Sequence, residues 1–103
     1  MTNHLIRDFY IGFIRVRILF HTLMSPTYGV ELMRELNRHG YKLGPGTLYP
    51  ILHGLEKSGL IEHYEKCENG HIRKYYTITE LGKKAFNKIR EKANELMQEI
   101  NEV

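Results

Sequence analysis

Residues 44–61 read GPGTLYPILHGLEKSGLI and predict a short helix with one apolar and one polar face. Proline is well tolerated at the first helical position, so we expect a helix over 45–58 that begins at Pro45. Its apolar side chains recur at helical spacing on one side: Leu48, Ile51, Leu52 and Leu55. This side is expected to lie in the core.

The opposite side of this helix carries small, polar and basic residues: Gly46, Tyr49, Pro50, His53 and Lys57. Pro50 is unfavourable inside a helix, because it removes the hydrogen bond to the carbonyl of Gly46 and its ring presses on the same peptide. Departures of this kind tend to occur at functional sites. We therefore expect this face to contact a partner.

Length and composition limit what the chain can be. Its 103 residues are enough for one domain with a modest core. The net charge of +3 lies in residues 1–79, which hold ten basic and seven acidic side chains, and it permits an anionic partner.

The single cysteine, Cys67, excludes an internal disulfide, and without a recognisable secretory signal we expect a cytoplasmic protein. The apolar run 11–24 contains two arginines and a histidine, so a membrane span is not expected.

The segment 5–23 has helical spacing but is apolar on more than one side. One stripe consists of Leu5, Phe9, Phe13, Val16, Phe20 and Leu23, and Ile6, Tyr10, Ile14, Ile18 and Leu19 lie beside it. A surface helix normally has a narrower apolar stripe. This helix is expected either to contact its own domain and another chain, or to be the central core helix of one domain.

A second helix is predicted over 28–39. Ser25-Pro26-Thr27 precedes it as a stop and a cap, and Gly40 ends it. The side chains expected to point inward are Val30, Leu32, Met33 and Leu36. Together with the helix over 45–58, this segment forms a helix-turn-helix pattern.

After Gly59 the apolar period changes to two, which predicts a β-hairpin over 60–79. Its turn is Asn69-Gly70, a dipeptide that suits a two-residue type I′ turn because both positions need positive φ. A two-residue loop pairs Ile61 with Ile78 and places Lys66 opposite Arg73. Like charges in that arrangement are unfavourable unless an anion lies between them, or unless both side chains extend into solvent. The pair is the first indication of a phosphate ligand.

A metal site is a further interpretation, since His63, Cys67 and His71 are spaced four apart. On the predicted hairpin His71 lies on the opposite face from the other two, so we expect no metal and no other cofactor. Catalytic motifs are also lacking. The sequence contains neither a glycine-rich phosphate loop followed by Lys-Ser or Lys-Thr nor a nucleophile elbow, so no enzyme is expected.

The last helix is predicted over 80–103, with Thr79 as its N-cap. Its apolar residues follow a heptad spacing over about three repeats. The seam is expected to contact a second copy of the chain, or alternatively to fold back on the first helix. The predicted dimer interface consists of Phe9, Phe13, Phe86, Ile89, Ala93, Leu96 and Ile100.

These segments together resemble the PadR-like family of winged-helix transcriptional regulators. The resemblance is carried by YGVEL at 28–32, GTLYPIL at 46–52, GLI at 59–61 and RKYYTIT at 73–79. It implies a mainly α fold with a small β-hairpin: a winged helix-turn-helix DNA-binding domain over 1–79 and a C-terminal dimerisation helix over 80–103. It also implies a homodimeric repressor that binds an inverted-repeat operator in double-stranded DNA.

In that arrangement helix 45–58 enters the major groove and hairpin 60–79 is the wing. Phosphate contacts are expected near the positive end of the helix, from Gly46, Thr47 and Tyr49. His53, and alternatively Tyr49 through its ring, are the candidates for contacts with base edges, and Lys57 reaches backbone or guanine. The predicted footprint is completed by Lys42, Lys66, His71, Arg73 and Lys74.

Two points stay open at the level of sequence. Family members commonly respond to small phenolic or drug-like effectors, but this chain has no tryptophan and one short terminal helix, so an effector is not assigned. The alternative function is a winged-helix module for protein interaction or assembly that does not bind DNA, because a fold does not determine its function.

Overall fold

The computed structural model describes residues 2–103, which form four helices and one two-stranded antiparallel sheet. The elements are α1 (Thr2–Met24), α2 (Gly29–Arg38), α3 (Pro45–Lys57), β1 (Ile61–Glu68), β2 (His71–Ile78) and α4 (Glu80–Asn101). The predicted mainly α fold with a small hairpin is therefore confirmed. Helix α3 begins at Pro45 with Gly44 as its N-cap, and Pro50 lies inside it.

The core is built around α1, which packs on α2, α4 and β2. Its buried side chains are Ile14, Ile18 and Leu19 of α1, Leu32 and Leu36 of α2, Leu48, Leu52 and Leu55 of α3, Ile61 of β1 and Tyr76 of β2. Each buried aliphatic side chain contributes about 1.5–3 kcal/mol. The predicted apolar face of α3 is confirmed, although Ile51 is only half-buried.

Val30 is a correction to the predicted core. It was expected to point inward, but its side chain is 49% exposed, because it borders an open groove between α2 and the hairpin. Val30 lies in the first turn of α2, on the side that borders the groove. The buried residues of this helix are Gly29, Leu32 and Leu36.

The hairpin has the predicted register throughout, from Ile61 opposite Ile78 to Glu68 opposite His71. Both residues of its turn have positive φ, 51° at Asn69 and 79° at Gly70. This is the conformation that a type I′ turn requires, and it fixes which side chains share a face.

A short pairing between Thr27 and Tyr76 fixes the hairpin against the helices, with backbone N–H to O=C distances of 3.1 and 2.7 Å. This pairing corrects the prediction that the segment ending at Thr27 caps α2. The N-cap is Tyr28, and the Thr27 hydroxyl instead donates to the Glu31 carboxylate at 2.7 Å. The backbone of Thr27 is already committed to β2.

Helix α4 begins at the predicted cap, where the Thr79 hydroxyl accepts a hydrogen bond from the Gly82 N–H at 3.0 Å and donates to the Gly59 carbonyl at 2.6 Å. Gly82 is buried against the Leu60 carbonyl group, and a Cβ at this position would overlap the carbonyl oxygen. Beyond Phe86, which stacks on Phe20 with ring centroids 6.2 Å apart, the helix extends away from the core.

Candidate nucleic-acid interface

The N-terminus of α3 is open. Gly44 caps it with extended backbone, the first turn holds no acidic residue, and within residues 2–103 no side chain hydrogen-bonds to this end of the helix. Gly46 and Thr47 are exposed. The partial positive charge of the helix end is therefore accessible to an anion such as a phosphate.

Two of the predicted DNA-contacting residues of α3 are exposed on one side of the helix. His53 and Lys57 are one turn apart, so both side chains can reach the same surface. Lys42 is also exposed, and it lies ahead of the helix at a groove shared with Arg7, Tyr10 and Thr47. A basic and hydrogen-bonding surface therefore extends from the linker before α3 along its outer face.

Tyr49 differs from its neighbours on that face because it is half-buried and packs against the core. Its ring lies on Gly29, where a Cβ would overlap the hydroxyl and approach the ring carbons Cζ and Cε1 to 2.8 and 2.9 Å. The ring thus joins α3 to the start of α2. The DNA contact of Tyr49 stays a prediction. Only the part of its side chain that lines the open groove between α2 and the hairpin is available for such a contact.

We define the wing as β1, β2 and their turn. On the wing, a carboxylate of the same chain offsets the like charges of Lys66 and Arg73. Glu68 lies 3.5 Å from Lys66 Nζ and 3.5 Å from an Arg73 terminal guanidinium nitrogen, and accepts a hydrogen bond from the Tyr75 hydroxyl at 2.6 Å. We call these four residues the Glu68 cluster. The like-charge pair is thus no evidence for phosphate by itself, because Glu68 supplies the missing anion.

The cluster perturbs the acid–base behaviour of its members. The hydrogen bond from Tyr75 holds the pKa of Glu68 below its ordinary value, assisted by the charges of Lys66 and Arg73. The same bond raises the pKa of Tyr75. Glu68 is therefore ionised at neutral pH and offers a permanent negative charge to the two cations.

Aromatic rings support the wing, and sequence reasoning missed one of them. Tyr64 and Tyr75 stack across the strands at 5.7 Å, as their predicted pairing allows. Tyr28 then packs edge-on against Tyr75 at 5.5 Å and lies under the Arg73 guanidinium, 4.5 Å from its carbon to the ring centroid. Tyr28 is remote in sequence from the hairpin, so periodicity gave no signal for it.

A groove of about 500 Å³ lies between the wing, the start of α2 and Tyr49. Three cationic side chains line it: Arg34, Arg73 and Lys74. Lys74 is exposed, and within residues 2–103 no carboxylate forms an ion pair with it within 4.0 Å, including that of Glu65, its partner across the strands. His71 is exposed beside the turn.

The three residues considered as metal ligands, His63, Cys67 and His71, do not come together within residues 2–103. His63 Nδ1 lies 2.5 Å from a Glu56 carboxylate oxygen, which joins the hairpin to α3. Nowhere in the described part of the chain do three His, Cys, Asp or Glu side chains come close enough to hold a metal ion.

A large apolar surface is exposed on α1 and the far half of α4. Phe9 and Phe13 are 60% and 54% exposed, and Leu96 and Ile100 are 56% and 52% exposed. Ile89 and Ala93 are exposed between them, whereas Phe86 is half-buried against Phe20. Phe86, the first α4 residue of the predicted interface, therefore packs on α1. The interface residues further along α4 are exposed. None of the helices in residues 2–103 has the length and apolar character to cross a membrane.

Comparison with known proteins places this architecture among transcriptional regulators. A family model described as "Transcriptional regulator PadR-like family" matches residues 18–88. A transcriptional regulator of Mycobacterium tuberculosis is 38% identical over 94 residues, which cover 91% of this chain and 88% of that protein.

Solved structures are similar over nearly the whole chain. The crystal structure of a PadR-like transcriptional regulator from Bacillus cereus is 31% identical with a TM-score of 0.80, covering 88% of this chain and 90% of that one. A PadR family transcriptional regulator from Eggerthella lenta is 25% identical with a TM-score of 0.81, covering 98% of this chain and 89% of that one.

Proposed function

The chain belongs to the PadR-like family of transcriptional regulators, and on that premise we propose that it is a homodimeric repressor that binds an inverted-repeat operator in double-stranded DNA. Membership confirms the resemblance inferred from the sequence, and it confirms the expectation of a regulator rather than an enzyme. The proposal divides the chain into a DNA-binding domain over 1–79 and a dimerisation helix over 80–103. It places the protein in the cytoplasm, in keeping with the exposed free thiol of Cys67.

The observation that carries the proposal is the outer face of α3. Its N-terminus has no acidic residue and no side-chain cap, and His53 and Lys57 are exposed on the same helix. A helix with this surface fits the major groove, where Gly46 and Thr47 contact phosphate and His53 meets base edges. Tyr49 contributes its groove-facing edge.

The wing adds contacts with the neighbouring backbone. Lys66, His71, Arg73 and Lys74 are all exposed, and Lys42 extends the footprint on the other side of the helix-turn-helix. Arg34, which lines the groove beside the wing, is a further candidate for a phosphate contact. These side chains position the protein and carry no sequence information.

Dimerisation is supported by the exposed apolar surface of α1 and α4. A monomer seldom exposes so many large apolar side chains together. A second copy is the natural cover, with Phe9 and Phe13 of one protomer and Ile89, Ala93, Leu96 and Ile100 of α4 at the junction. A two-fold dimer presents two α3 helices about 34 Å apart and therefore selects an inverted repeat. A small-molecule effector is not part of the proposal.

The test is selection of bound duplexes from a pool of random DNA, followed by affinity measurement over a series of salt concentrations. We expect an inverted repeat to be enriched, and affinity to fall steeply with salt because phosphate contacts release counterions. Sedimentation of the protein–DNA complex should give two protomers per duplex. Failure to enrich any sequence, with affinity indifferent to salt, would instead favour a protein-interaction module.

A further inference from the structure

The Glu68 cluster has the composition of an anion site. Three donors converge on the Glu68 carboxylate: the Tyr75 hydroxyl at 2.6 Å, Lys66 Nζ at 3.5 Å and an Arg73 terminal nitrogen at 3.5 Å. Two cations and a hydroxyl on one oxyanion are also what a phosphate group would require. The anion present is a side chain of the same chain.

Arg73 and Tyr75 are held in place by neighbours other than Glu68. The Arg73 guanidinium carbon lies 4.5 Å from the Tyr28 ring centroid, and Tyr28 packs edge-on against Tyr75. Tyr75 also stacks on Tyr64. Arg73 and Tyr75 would therefore keep their positions if the carboxylate left.

The carboxylate is also able to leave. Glu68 adjoins the two-residue turn, and the side chains of Lys66 and Arg73 are 60% and 44% exposed, so a phosphate from solvent can approach them. Ion pairs between side chains of such exposure are weak, because water screens them, and a doubly contacted phosphate can compete with them.

We propose, on the premise of the DNA-binding function above, that Lys66, Arg73 and Tyr75 form a phosphate site that Glu68 fills in the free protein and that a DNA phosphate takes over in the complex. Glu68 is then an internal competitor. It lowers the affinity of the wing for DNA of any sequence, and it leaves discrimination to α3.

The test is Glu68→Gln, because the amide keeps an oxygen to accept the Tyr75 hydrogen bond and removes only the charge. We expect affinity for a duplex of random sequence to tighten about 3- to 10-fold, since two exposed cations become free. The slope of log affinity against log salt should become more negative by about 1 to 2, since one or two more phosphates are contacted.

Glu65→Gln is the matched control. Glu65 lies on the same strand, is exposed, and is paired with Lys74 on the opposite face of the hairpin from the Glu68 cluster. Its substitution therefore changes the net charge by the same amount and leaves the cluster intact. We expect it to change affinity less than about twofold. Equal gains from both variants would overturn the proposal, because net charge alone would then explain them.

A second variant separates the phosphate site from a general loosening of the wing. In the Arg73→Gln background, Glu68→Gln should give a clearly smaller gain than in the wild type, because only Lys66 is then released. A full gain in that background contradicts the proposal.

Failure of the proposed DNA-binding function is distinguishable from failure of this site. If the wild-type protein binds no duplex, titration with inorganic pyrophosphate, followed by NMR of the wing amides, takes the place of DNA. Shifts at the wing in Glu68→Gln, and not in Glu65→Gln, support the anion site, and the absence of shifts in both overturns it.

Discussion

Tyr49 shows how one side chain on a functional face can also be structural. Helical spacing places it with His53 and Lys57, yet its ring lies on Gly29 and closes the contact between α3 and α2. Gly29 is buried for this reason. A glycine is needed there because of the close approach of the ring.

Gly29→Ala tests this contact. The new Cβ would overlap the Tyr49 hydroxyl, so we expect unfolding free energy to fall by about 1–3 kcal/mol in urea denaturation. Gly54→Ala is the control, because Gly54 is an exposed glycine of α3 with no neighbouring atom within 4 Å of the place that a new methyl group would take, and alanine there should stabilise by up to about 1 kcal/mol. Equal behaviour of the two variants would argue against tight packing of Tyr49 on Gly29.

His21 is predicted to make stability depend on pH. Its Nε2 is buried without a hydrogen-bond partner among residues 2–103, and this burial lowers its pKa below the ordinary 6.5, opposed in part by Glu35. The folded state therefore binds fewer protons than the unfolded state, so the contribution of His21 is complete above pH 6.5 and is lost as pH falls through the folded pKa.

The measurement is an NMR titration of the His21 ring, with a midpoint expected below 6.5, together with urea unfolding at pH 5.5 and 7.5 for the wild type and His21→Gln. The variant should show a smaller loss of stability at the lower pH. A midpoint at or above the ordinary value would show that the neighbouring carboxylate outweighs burial.

At the scale of elements, the proposed function divides α3 into an end that positions the protein on DNA and a face that reads bases. Thr47 belongs to the open N-terminus, where the proposal places a phosphate near the helix dipole, and His53 lies one to two turns further along. Alanine substitutions at Thr47 and His53 should therefore have different effects on DNA binding.

We expect Thr47→Ala to weaken binding to all duplexes by a similar factor, and His53→Ala to reduce preference at one or two base positions by about 1–3 kcal/mol. Competition binding with a set of singly substituted operators gives both quantities. If both variants lose affinity equally on every duplex, α3 does not read sequence through His53.

For the whole molecule, the exposed surface of α1 and α4 predicts that the oligomer depends on the distal part of α4. Leu96→Glu places a charge on the exposed surface that the proposed dimer would bury once in each protomer, so dimer dissociation should be favoured by at least tenfold, about 1.4 kcal/mol, in sedimentation equilibrium.

Gln98→Glu adds the same charge two residues away, and two residues along a helix lie on different faces. It should leave the dimer intact if the apolar stripe is the interface. Dissociation by both variants would indicate a general electrostatic effect, and dissociation by neither would place the interface elsewhere.

The parts of this fold that were predictable are those governed by neighbours along the chain. The start of α3, the Thr79 cap and the full hairpin register were correct, because each depends on local spacing or on turn residues such as Asn69 and Gly70. The direction of Val30 and the role of Thr27 were wrong, since both depend on where the hairpin packs.

The hairpin register at the candidate site was predictable from the sequence, and the electrostatics of the site were not. The sequence places Lys66 opposite Arg73 through a register that was confirmed. It did not identify Glu68 as the anion bound between them, nor Tyr28 as the ring under Arg73.

The amino-acid sequence by itself determined the order of helices and strands, the faces that each element presents and the family, because periodicity and turn chemistry act within a few residues. Only the tertiary structure decided which side chains of those faces are free. Contacts such as Tyr49 with Gly29 and Arg73 with Tyr28 join residues far apart in the chain. Such contacts exist only when separate elements pack at one distance and angle, and no local pattern records that geometry.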